Sequence, residues 1–107
     1  MTSTDQRLHE AAGYLYLAAA AAEHQAGDSP APELLTIAAL ARATAALISP
    51  TPAQPDADAD VASSLTASLE SLESIEPGDG PADLPLLEWH IHDLRRIATG
   101  IATQARP

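Results

Sequence analysis

The side chains best suited to chemistry lie in one short stretch near the carboxyl end of the chain. Residues 86–93 read Leu-Leu-Glu-Trp-His-Ile-His-Asp and hold two histidines, two carboxylates and the one tryptophan. The stretch is predicted to be helical, and His90 and His92 then differ by about 200° around the helix axis. The two imidazoles therefore cannot chelate one metal ion from a regular helix.

One pair in this stretch has metal-binding spacing. Glu88 and His92 are four positions apart, so they share a helix face and would bind zinc or another transition metal together with outside ligands. A solvent-exposed pair explains the same spacing, and we favour that interpretation. His90 falls on the apolar side of the helix, which indicates a core histidine, with ligand binding as the alternative. No Glu precedes a His by three positions, so the di-metal signature of helical bundles is missing.

Other catalytic chemistry has no support in the sequence. The chain has no cysteine, which excludes disulfides, thiol catalysis and cysteine-ligated zinc. It has no lysine either, so the phosphate-binding pattern Gly-x-x-x-x-Gly-Lys is impossible. No serine stands in Gly-x-Ser-x-Gly. We predict a non-enzymatic protein with no catalytic residue and no cofactor.

The charge balance excludes several kinds of partner. Five arginines stand against 15 acidic residues, which gives a formal net charge of −10. Nucleic acids and anionic membrane surfaces both require a dense basic surface. No apolar run reaches the roughly 20 residues that span a bilayer, and no signal-peptide pattern is visible. We expect a cytoplasmic protein, and the arginine, alanine and proline usage is typical of a GC-rich bacterial genome.

The elements that position these residues are predicted to be four helices in a single domain, residues 1–107. The helices run over about residues 4–26, 30–48, 56–75 and 84–104. A proline-rich loop at 49–55 and a Pro-Gly-Asp-Gly-Pro turn at 77–81 separate the later ones. With 3% aromatic residues, the core must be built from Ala and Leu. These features predict an all-α, four-helix up-and-down bundle made of two antiparallel helical hairpins.

The third and fourth helices each show one apolar stripe, but the first two helices show two. Opposite the third helix's stripe stand polar residues, namely Ser63, Ser64, Glu70, Glu73 and Ser74. The second faces of the first two helices comprise Gly13, Leu17 and Ala21, and Leu40 and Leu47. Alanine tolerates solvent, which is one explanation. We favour the other, a partner surface, with dimerisation completing the bundle.

Trp89 and Arg96 lie together on the outer side of the fourth helix, a combination typical of interface anchors. The alternative is that Trp89 covers a neighbouring helix edge. The interface candidates are therefore Gly13, Leu17, Ala21, Leu40, Leu47, Trp89 and Arg96. We predict a protein that acts through protein–protein interaction, as a homodimer or as a small subunit or adaptor of an assembly. The alternatives are an acidic inhibitor or nucleic-acid mimic, and a ligand- or metal-binding bundle that uses the fourth-helix histidines.

Overall fold

Four helices form the described part of the chain. The computed structural model describes residues 4–28, 32–49, 60–75, 78 and 83–104. The helices are α1 (Thr4–Asp28), α2 (Pro32–Ile48), α3 (Val61–Glu73) and α4 (Leu84–Gln104). The prediction of an all-α, four-helix protein is confirmed.

The start of α3 differs most from the predicted helix bounds. The helix begins at Val61 rather than near residue 56, because the Asp60 side chain accepts a 2.7 Å hydrogen bond from the main-chain nitrogen of Ser63 and caps the helix. The backbone of Asp60 is extended, with φ −75° and ψ 178°. The start of the predicted helix, which includes Asp56 and Asp58, falls outside the described residues.

The turn predicted at 77–81 is described at one residue. Gly78 has a φ of 100°, in the left-handed region that side chains disfavour. A glycine is therefore required at this point of the connection between α3 and α4. The other residues of the predicted turn lie outside the described part.

Each helix packs against two others. In the described parts of the helices, α1 packs against α2 and α3, and α4 packs against the same two helices. In the same parts, the Cα atoms of α1 and α4, and those of α2 and α3, do not approach within 8 Å. His9 of α1 lies 2.6 Å from Ser49 at the end of α2, so these helices are antiparallel. Ser68 of α3 is bonded to Ala11, whereas Val61 lies beside His24, so α3 is also antiparallel to α1.

The helices α2 and α3 therefore run in the same direction at diagonal corners of the bundle. An up-and-down bundle reverses direction at every connection, so this part of the prediction was wrong. Ser49 lies at the His9 end of α1 and Asp60 at its His24 end. This separation is about 22 Å at about 1.5 Å of rise for each residue. The chain from Ser49 to Asp60 is long enough to span it.

All four helices contribute to a single core. The largest fully buried apolar side chains are Leu15, Ile37, Leu65, Leu72, Leu87 and Ile91. Apart from Leu15, α1 contributes mostly alanines to the core, including Ala11 and Ala18, which are fully buried. Helices that meet through small residues approach more closely than helices that meet through leucine.

The α3 face against α1 was predicted incorrectly. Ser64 was expected on the polar side of α3, but Ser64 and Ser68 are both fully buried. The cause is that α3 packs against both α1 and α4, so its buried face is wider than the apolar stripe alone. The small serines fit where α1 presents alanines.

Candidate interaction surface

From Leu35 to Leu47 the outer face of α2 is apolar except for Thr36. Leu35, Leu40 and Leu47 are 55%, 46% and 70% exposed. The exposed residues between them are Thr36, Ala39, Ala43 and Ala46. Most residues of α2 are apolar, and the bundle buries only the face of Leu34, Ile37, Ala38, Ala41, Thr44, Ala45 and Ile48. The opposite face is therefore left in solvent.

Charge on α2 is confined to two residues. Glu33 lies in the first turn, and Arg42 lies on the flank towards α1, where its guanidinium donates a hydrogen bond to the Glu23 carboxylate. This hydrogen bond lowers the pKa of Glu23 below its ordinary value. The two charges on α2 sum to zero, although the chain carries −10. The outer face of α2 therefore repels a second acidic surface less than the chain as a whole does.

The predicted interface residues of α2 and α1 differ in exposure. Leu40 and Leu47 are exposed, whereas Leu17 and Ala21 are half-buried and Gly13 is buried. The expectation that Gly13 presents an open surface was therefore wrong. Ala21 packs against the core cluster, because α1 has α2 on one flank and α3 on the other. Sequence periodicity did not single out Leu35, which the structure adds to the surface.

An open pocket of about 610 Å³ lies over the predicted second face of α1. It is lined by Leu17, Ala20, Ala21, His24, Gln25, Asp60 and Val61. The pocket lies where α1 meets the start of α3, so it does not continue the outer face of α2. The second apolar faces predicted for α1 and α2 therefore lie on different parts of the surface.

The outer face of α4 carries a second, smaller apolar area. Trp89 is 61% exposed and Leu86 is 54% exposed. Arg96 donates a hydrogen bond to Asp93, and these residues line a shallow pocket of about 230 Å³ together with Trp89 and His92. Trp89 and Arg96 are thus both accessible on one helix face.

The predicted metal-binding pair Glu88 and His92 lies on α4. Glu88 is half-buried and His92 is exposed. Among the residues that the structure describes, no three potential metal ligands lie together. His90 is half-buried rather than in the core, and its ring meets Trp89 edge-on at 5.6 Å between centroids. It therefore lies at the margin of the core, because its predicted apolar face is covered only in part.

One pair of chemically capable residues was missed by the sequence analysis. The Oγ of Ser49 lies 2.6 Å from the Nδ1 of His9, a distance suited to a nucleophile and its base. Ser49 is only 3% exposed, so a substrate cannot reach its hydroxyl. The pair instead joins the end of α2 to the start of α1. The two residues are 40 positions apart, which no local spacing reveals.

Two further properties bear on function: the capacity of the helices to cross a membrane and the similarity of the chain to known proteins. No helix in the described part of the chain combines the length and apolarity needed to cross a bilayer. Comparison of the chain with models of known protein families, with curated proteins and with solved structures finds no match.

Proposed function

We propose that this protein is a non-enzymatic, self-associating interaction protein of the cytoplasm that binds through the outer face of α2. One observation carries the proposal: Leu35, Leu40 and Leu47 are about half to two-thirds exposed on one helix. A helix at the surface of a monomer usually presents charged residues to solvent. The outer face of α2 presents leucine and alanine instead.

The other helices show what a solvated face looks like in this chain. On α3 the exposed positions include Glu70 and Glu73, and on α4 they include His92 and Arg96. The face of α2 departs from this composition over a 17-residue helix. Leu86 and Trp89 on α4 are exposed too, but Trp89 lies beside Asp93 and Arg96, whereas the exposed positions of α2 from Leu35 to Leu47 carry no charge.

The free energy available for association through the outer face of α2 is modest. Complete burial of a leucine contributes about 1.5–3 kcal/mol, and Leu35, Leu40 and Leu47 are already partly buried. Association also costs translational and rotational freedom, which offsets part of this gain. We therefore propose a concentration-dependent dimer rather than an obligate one. Trp89 and Arg96 on α4 are a separate contact, available to a further protein.

The experiment is measurement of the solution mass by light scattering over a hundredfold range of concentration. The wild-type chain of 11.1 kDa is expected to approach twice this mass as concentration rises. Replacing Leu40 and Leu47 with Glu is expected to leave a monomer with unchanged helicity. Leu86→Glu on α4, at a residue of similar exposure, is the control and should still dimerise. A wild type that remains monomeric throughout would overturn the proposal.

A further inference from the structure

We draw no further inference here: the strongest candidate, the open pocket of about 610 Å³ between α1 and the start of α3, carries none because the Asp60 carboxylate at its edge already caps α3 and nothing in the described part of the chain shows what would occupy it.

Discussion

Ser68 in α3 donates a 2.8 Å hydrogen bond to the main-chain carbonyl oxygen of Ala11 in α1. Both residues are fully buried, and the bond links positions 57 residues apart. The carbonyl group of a helix residue has two lone pairs, so it accepts from Ser68 in addition to its place in the helix. The contact helps to hold α3 beside α1 and so bears directly on the topology of the bundle.

Replacing Ser68 with Ala is expected to lower the free energy of unfolding by about 0.5–1.5 kcal/mol, the net value of one neutral hydrogen bond. The measurement is equilibrium unfolding in urea at a concentration where the protein is monomeric. The slope of the free energy against urea concentration should not change, because the folded state remains as compact. A variant as stable as the wild type would show that this hydrogen bond does not stabilise the α1–α3 contact.

Ser64→Ala is expected to raise the free energy of unfolding, the opposite of the effect expected for Ser68→Ala. The Oγ of Ser64 is buried, and in the described structure it has no hydrogen-bond partner. Removal of an unpaired buried hydroxyl eliminates a desolvation cost of about 1–3 kcal/mol, less a small loss of packing. We expect stabilisation of about 1 kcal/mol in the same urea experiment. Ser68→Ala is the matched control, since the chemical change is identical, and equal destabilisation by both variants would contradict this account.

The cap of α3 makes part of the stability depend on pH. Hydrogen bonds from Ser63, first from its main-chain nitrogen and then from its hydroxyl, lower the pKa of Asp60 below its ordinary value of 3.8. A carboxyl whose pKa is lower in the folded state stabilises the protein above its unfolded pKa. That contribution is lost as the pH falls below about 4.

The Asp60→Ala variant tests the cap. At neutral pH it is expected to be less stable than the wild type by about 0.5–2 kcal/mol. Thermal unfolding should show this difference shrinking below about pH 4, where Asp60 becomes protonated. Asp60→Asn retains a capping oxygen without a charge, so its advantage over Ala should not vary across that range. A constant difference between wild type and Asp60→Ala would contradict the role assigned to the carboxylate.

The close contact of α1 with its neighbours makes Ala18 intolerant of a larger side chain. Ala18 is fully buried, so Ala18→Leu is expected to cost about 1–3 kcal/mol through overpacking. Ala20 is exposed two positions later on the same helix, and Ala20→Leu should change stability by less than about 0.5 kcal/mol. Circular dichroism during thermal unfolding compares the two, and similar melting temperatures would contradict the assigned burial.

Much of this protein follows from local sequence. Segments rich in proline and glycine separate the helices, and apolar spacing with a period near 3.6 marks the helix faces. For that reason the four helices and the exposure of Leu40 and Leu47 were predicted from the chain alone, and Trp89 was placed on the outer side of α4. The apolar character of α2 on both faces was also visible in the sequence, since it depends only on composition and spacing.

The tertiary structure decided which helix covers each face. Periodicity shows that residues share a face but does not identify the helix that packs on it. An up-and-down bundle would have α3 next to α2, whereas the fold places α3 next to α1, antiparallel to it. The burial of Gly13 and Ser64 and the pairing of His9 with Ser49 also could not be predicted from local sequence. Each arises from the arrangement of whole helices, and packing of distant segments determines that arrangement.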